Sequence, residues 1–284
     1  MNIQEAIRAI RPLDAAAMVQ CKDRWNHIAK PVHGFGKFEE AFMQIAGIQR
    51  TEKIHIEKSA VIAAFGDGGP EACQTQEKSE NRKMAEGFQR GNTYGAILAD
   101  TVGADLISLD ISGVSSVSEA LEAGLYTAEQ CKDKGIQILA AGDIGTALVC
   151  SEKEYDKETI LEELERDGRY DILALAGVYI GGAAWGIPVV CDGYSALLGV
   201  AAAKKFSGLT ASYVIPAQAG KEAPVRKLME RLALEPFLDC SMGVGQGAGA
   251  SMCLGLLQMA KQVYDNADTF YDVGIKPYKV TGCH

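Results

Sequence analysis

From Ala60 onward, short apolar runs alternate with helical stretches, and that alternation leaves the chain few folds to choose from. Residues 61–65, 106–111, 136–141, 188–191 and 213–216 read as strands. Residues 81–103, 127–134, 157–166, 172–186 and 195–205 read as the helices between them. Strands and helices in alternation make a parallel sheet covered on both faces, so the expected fold is α/β, doubly wound and mainly parallel. In such sheets ligands lie beyond the carboxyl ends of the strands. Those ends carry Asp67, Asp110, Asp143, Asp192 and Gln218, most of them beside glycine. Any single aspartate there caps the next helix, but the set points to one polar cleft. Residues 1–30 read as helical on the spacing of Ile3, Ala6, Ile7 and Ile10, with a break at 31–36 and a new helix near Phe38.

The loop after the last strand runs from Cys240 to Met252, with Gly243, Gly245, Gly247 and Gly249 at every second position and Gln246 as its only long polar side chain. Such a loop admits a ligand close to the main chain, or packs a turn tightly against a strand. It opens a helix over 250–263, whose first N–H groups suit an anion. Gly243-x-Gly245-x-x-Ala248 also fits a loose dinucleotide fingerprint, and an apolar segment at 234–238 could be the strand before it. A nucleotide-binding unit needs a second strand with an acidic residue about 20 positions on. Here that interval is helix to Tyr264 with only a short tail beyond Phe270, so the unit cannot be completed.

A net charge of −9 and the lack of a Lys/Arg block argue against a nucleic-acid surface. The eight cysteines are scattered, with no Cys-x-x-Cys and no metal-ligand spacing, as expected of reduced thiols in a cytoplasmic protein. The amino terminus lacks a signal-peptide apolar core. Residues 172–190 are free of charge, but Gly186 and Pro188 break them and Asp171 and Asp192 bound them, so they read as a buried helix and strand rather than a membrane span. His27, His33, His55 and His284 pair with no serine or cysteine that would suggest a nucleophilic triad. His33, in a glycine-rich turn, reads as a surface histidine.

Four segments, in order, carry a resemblance. Lys30-Pro-Val-His-Gly-Phe-Gly-Lys-Phe-Glu39 resembles Lys-Pro-x-Gly-Ser-Leu-Gly-x-Leu-Glu, and Tyr170-Asp-Ile-Leu-Ala-Leu-Ala-Gly177 resembles Phe-Asp-Ile-Ala-x-Leu-x-Gly. Pro188-Val-Val-Cys-Asp-Gly193 resembles Pro-Val-x-x-Asp-Gly. The segment 234–239 with the glycine loop resembles the signature Leu-Gly-Glu-Gly-x-Gly-Ala. Together they resemble the nicotinate-nucleotide–dimethylbenzimidazole phosphoribosyltransferases, which make the lower-ligand nucleotide of cobamides. The resemblance implies a large α/β domain over 59–249 and a small helical domain from 1–58 completed by 250–284. It implies a dimer, and transfer of ribose 5-phosphate from nicotinate mononucleotide to an aromatic acceptor without a metal or cofactor. The substrate-facing positions it implies are Asp67, Asp143, Gly145, Asp192, Gln218, Gly245 and Gly247.

The departures fall on the chemistry. The family's catalytic glutamate stands at Gln246, and an amide takes up no proton at neutral pH. Asp-His-Gly-Val becomes Asp67-Gly-Gly-Pro70, and Ser-Ala-Glu-x-Gly becomes Pro216-Ala-Gln-Ala-Gly220. Gly-(Asp/Glu)-x-Gly-x-x-Asn-Thr-Thr keeps only Gly142-Asp-Ile-Gly145, without the phosphate-binding stretch that follows it. This pattern resembles the degenerate half of the heterodimeric phenol and p-cresol phosphoribosyltransferase, whose sister subunit carries the working site. Two other expectations stand beside it: an autonomous transferase with Asp143 or Asp192 as base, and a non-catalytic protein that binds small aromatics.

Overall fold

The computed structural model describes residues 1–66, 78–144 and 154–277, so Asp67, Gly145 and His284 lie outside the described residues. The strands are β1 (Ser59–Phe65), β2 (Asp105–Asp110), β3 (Ile138–Asp143), β4 (Val189–Cys191) and β5 (Val214–Pro216). They form one parallel sheet in the order β2-β1-β3-β4-β5. The helices among the described residues are α1 (Ile3–Ala9), α2 (Ala15–His27), α3 (Lys37–Gln49), α4 (Lys78–Gln89), α5 (Tyr94–Thr101) and α6 (Val117–Asp133). They continue with α7 (Ile160–Arg166), α8 (Tyr170–Trp185), α9 (Tyr194–Phe206), α10 (Ala223–Leu232) and α11 (Ala248–Asn266).

The expected α/β architecture is what forms. Its two cores follow the period-two alternation of the strands. Ala60, Ile62 and Ala64 of β1 pack into the layer of α6, α8 and α9, which α1 also joins through Ala6. Val61, Ala63 and Phe65 pack into the layer of α2, α3, α5 and α11. Within that second layer Trp25 is a hub, 5.3 Å from Phe35, 5.5 Å from Phe42 and 5.1 Å from Tyr264 between ring centroids. α8 is buried on every side from Asp171 to Ala183, which accounts for the charge-free run. No helix among the described residues is long and apolar enough to cross a membrane.

Element boundaries differ from the periodicity in four places. The expected helix over 1–30 is two, because Ile10 turns extended, Pro12 follows, and Asp14 caps α2 at the Ala17 amide, 3.0 Å away. The expected helix over 81–103 is also two, parted by Gly91 at φ 79° and restarted by the Thr93 cap. α6 begins at Val117 rather than 127, where Ser116 accepts from the Glu119 amide. Residues 234–238 are not a strand: Leu238 forms only an isolated bridge with Gln218, and the amphipathic α10 fills the space before it.

Two contacts between distant segments complete the frame. Along the seam of α6 and α8 the backbones touch: a Cβ on Gly124 would lie 1.8 Å from the Ala174 carbonyl oxygen, and one on Gly177 2.1 Å from that of Leu121. At the outer edge of β5, Gln44 Nε2 donates to the carbonyls of Ser212 and Val214, both at 2.9 Å, and the Phe237 amide donates to that of Pro216 at 3.2 Å.

Candidate active site

The parallel register brings Asp110, Asp143, Asp192 and Gln218 to one end of the sheet, and the glycine loop lies across it. The Gln246 amide donates to the Asp143 carbonyl at 2.8 Å, and the Gly249 amide donates to Asp192 Oδ2 at 2.7 Å. Gln218 holds the loop's start, donating to the Met242 carbonyl at 3.2 Å and accepting from the Met242 amide at 3.3 Å. The spacing of the glycines follows from these crossings. A Cβ on Gly142 would lie 2.3 Å from the Gly247 nitrogen, and one on Gly249 2.5 Å from Asp192 Oδ1. So the bare main chain meets the protein's own groups, and a carboxylate already sits at the amino terminus of α11, where the sequence left room for an anion.

Asp143 and Asp192 are both buried, and burial raises both carboxyls from 3.8 to about 6. Their roles diverge. Asp192 is tied to α11 through Gly249, and its Oδ1 has no hydrogen bond among the described residues. For Asp143 neither oxygen has one, and Ser195 lowers its pKa. After burial, Arg169 pulls the Asp143 pKa down while Asp171 and Asp192 push it up. Arg169 is itself 1% exposed; it grips Asp171 with Nε–Oδ1 at 2.9 Å and Nη2–Oδ2 at 2.8 Å, and donates to Ser195 Oγ at 3.1 Å. Burial opposes its charge, but Asp171 and Asp143 outweigh that and push its pKa above the ordinary value.

A carboxyl whose folded pKa lies above its unfolded value stabilises the fold at low pH. For Asp143 that contribution is complete below pH 3.8 and is lost as the pH rises to about 6. Asp143→Asn is therefore expected to raise stability at pH 7.5, by up to ~3 kcal/mol on a shift from 3.8 to about 6. It should also flatten the decline between pH 4 and 6. Urea unfolding of both forms at pH 4.5 and 7.5 checks this, and a loss of stability at pH 7.5 would contradict it.

Gln246 lies at the centre of the loop, 2% exposed, with left-handed backbone at φ 57° between Gly245 and Gly247 at 69° and 66°. Its Oε1 has no hydrogen bond among the described residues. Gly95 is bare because Gln246 fills the space beside it: a Cβ there would lie 2.5 Å from Gln246 Cβ. The Tyr94 hydroxyl next to it donates to the Val244 carbonyl, and burial, then Asp143, raises its pKa.

Not every candidate joins this cluster. Asp110 is half-exposed, bonds the Ser112 amide at 2.8 Å, and faces Arg82 at 3.8 Å, so it acts as a turn cap. The Lys30–Glu39 motif closes on itself: Lys30 Nζ meets Glu39 Oε1 at 2.7 Å, both buried, and Oε1 also accepts from the Phe35 amide at 3.0 Å. His33, on that loop at φ 54°, is exposed, with Nδ1 3.9 Å from Glu39 Oε2. The sequence did not flag Arg169, Ser195 or Glu222. The available signal for Arg169 was its place with Asp171 at the head of a long uncharged helix.

In an open α/β sheet, polar residues gathered beyond the carboxyl ends of the strands mark the crevice where ligands bind. A family model described as "Phosphoribosyltransferase" matches residues 10–118 and 146–275. The chain belongs to this family, of the nicotinate-nucleotide–dimethylbenzimidazole type. The protein of that name from Clostridium acetobutylicum is 24% identical, covering 98% of this chain and 99% of its own. Its namesake from Photorhabdus laumondii is 25% identical, covering 93% and 96%. The crystal structure of CobT from Thermus thermophilus superposes with a TM-score of 0.77 at 22% identity, over 93% of this chain and 100% of that one. The Clostridium alignment runs over 349 positions against 284 residues here, so that relative carries segments this chain lacks.

Proposed function

We propose that this chain is one subunit of a cytoplasmic phosphoribosyltransferase of cobamide biosynthesis, with a degenerate site of its own and a catalytic sister chain. The reaction breaks the bond from C1′ of nicotinate mononucleotide to its pyridinium nitrogen and releases nicotinate. It joins C1′ to the oxygen of phenol or p-cresol, or to a nitrogen of a benzimidazole, and the acceptor's proton goes to a base. The observation that carries the reading is Gln246, an amide buried at 2% exposure where the family places that base. With no carboxylate there, proton removal loses the roughly 10²- to 10⁴-fold that a positioned base contributes. The two buried carboxylates nearby, Asp143 and Asp192, are poor neighbours for a phosphate, which agrees with the shortened phosphate-binding stretch.

The test is transfer from nicotinate mononucleotide to phenol and to dimethylbenzimidazole. The chain alone is expected at background, and co-expression with a glutamate-bearing relative from the same source is expected to give turnover. Gln246→Glu alone should stay at background, because it restores the base but not the phosphate cradle. Turnover by the unpaired wild-type chain would overturn the reading.

One observation favours autonomous catalysis as a second reading. The Asp143 carboxyl is raised by burial to about 6, near the operating pH that suits a general base, and neither oxygen has a hydrogen bond among the described residues. In that case the chain alone turns over, and Asp143→Asn abolishes the activity.

A further inference from the structure

The stretch from Gly243 to Gly247 crosses the end of the sheet in a conformation that has to be held. Gly245, Gln246 and Gly247 are left-handed in succession, and Ser241 upstream lies at φ 51°. Ser241 and Gln246 carry side chains in that region, which is strained unless the surroundings fix it. Beside the stretch lie three buried acceptors without a hydrogen bond among the described residues, Gln246 Oε1 and both Asp143 oxygens. Strain and unmet hydrogen bonds both favour an open arrangement, so the closed one depends on its tethers.

The tethers are few. At one end Gln218 pins Met242, and at the other the Gln246 amide donates to the Asp143 carbonyl at 2.8 Å. Between them, residues 243–245 take one hydrogen bond from outside the loop and the helix it opens, among the described residues: the Tyr94 hydroxyl donates to the Val244 carbonyl. Glu222 leans on the same stretch, its Oε1 2.3 Å from where a Cβ on Gly243 would lie, but makes no hydrogen bond to it. Tyr94 opens α5 behind the Thr93 cap and is 44% exposed, and the next residue, Gly95, abuts Gln246.

We infer that residues 243–247 form a lid over Gln246 and Asp143, and that Tyr94 is the latch that holds it shut. The hinges are Met242 and Gly247, where glycine takes the left-handed backbone without strain. Releasing the Val244 carbonyl lets the lid lift, breaks the bond from the Gln246 amide to Asp143, and admits solvent to the buried acceptors. The inference goes beyond the proposed function, since it holds whether the site behind the lid works or is a relic.

Amide hydrogen exchange read at single residues tests this on the full chain. The Gln246 amide reports the lid, because it exchanges only when its bond to Asp143 breaks. The Leu139 amide, bonded to the Pro188 carbonyl at 2.9 Å within the sheet, reports the rest of the fold. In the wild type Gln246 is expected to exchange faster than Leu139. Tyr94→Phe keeps the ring and should speed Gln246 about two- to tenfold, the effect of one hydrogen bond, with Leu139 unchanged. Tyr126→Phe, at an exposed ring without a hydrogen bond among the described residues, should change neither. A Gln246 rate that is unchanged or slower in Tyr94→Phe would overturn the latch. Equal acceleration of both amides, or a wild-type Gln246 as slow as Leu139, would overturn the lid.

Discussion

Replacing Arg169 with methionine is expected to leave little folded protein at neutral pH. The guanidinium is 1% exposed and its bidentate grip on Asp171 is as short as 2.8 Å, with the buried Asp143 carboxylate beside it. Taking away one partner of a buried ion pair costs roughly 3–5 kcal/mol, because the other charge is left without solvent or counter-charge. Here two carboxylates are left. Domain stabilities are on the order of 5–15 kcal/mol, so the loss approaches the whole. The Asp143 carboxyl, already raised by burial, would then resist ionisation further, so the deficit should be smaller at pH 5.5 than at pH 7.5. Arg169→Met combined with Asp171→Leu should recover much of it, since removing both charges ends the mismatch. Urea unfolding of the single and double variants at the two pH values reads this directly. A single variant within 1 kcal/mol of wild type would show that the network contributes nothing.

The second large effect lies at the contact of α6 and α8. Alanine in place of a helical glycine ordinarily stabilises by up to about 1 kcal/mol. At Gly124 and Gly177 the sign should invert, because the new methyl would fall 1.8 Å and 2.1 Å from carbonyl oxygens of the opposite helix. Backbone cannot rotate aside as a side chain can, so the helices must separate, costing about 1–3 kcal/mol or more for each substitution. Gly208→Ala, where a Cβ would meet nothing within 4 Å, is the control and should be near neutral. Thermal melts of the three variants suffice. Equal melting temperatures would mean that the seam is slack.

The sheet was legible because its strands are short, apolar and end at polar residues, and the buried helix because it is uncharged for so long. Helix boundaries were read less well. Their capping signals, Asp14, Thr93 and Ser116, are single residues that periodicity smooths over, and the break at Gly91 lies inside an otherwise helical pattern. Of the site, the sequence located Asp143, Asp192, Gln218 and Gln246, since each ends a strand or centres the loop. It could not tell which glycine faced a ligand and which a neighbour, because that depends on contacts between distant segments such as Gly95 with Gln246. Arg169 and Glu222 were hidden for the same reason. Each reads as an ordinary charge at a helix start until the fold turns one inward and the other across a loop.

The outer edge of β5 carries a consequence for assembly. The carbonyls of Ser212, Val214 and Pro216 are all engaged, two by one glutamine amide and one by the returning main chain. A strand arriving from another molecule finds no free row of acceptors there, so this border is guarded against sheet extension and the aggregation that begins with it. Two copies, or two unlike subunits, cannot join by continuing the sheet past β5 unless Gln44 and Phe237 first let go. Replacing that one glutamine would free the Ser212 and Val214 carbonyls and leave the Phe237 amide as the remaining guard at Pro216.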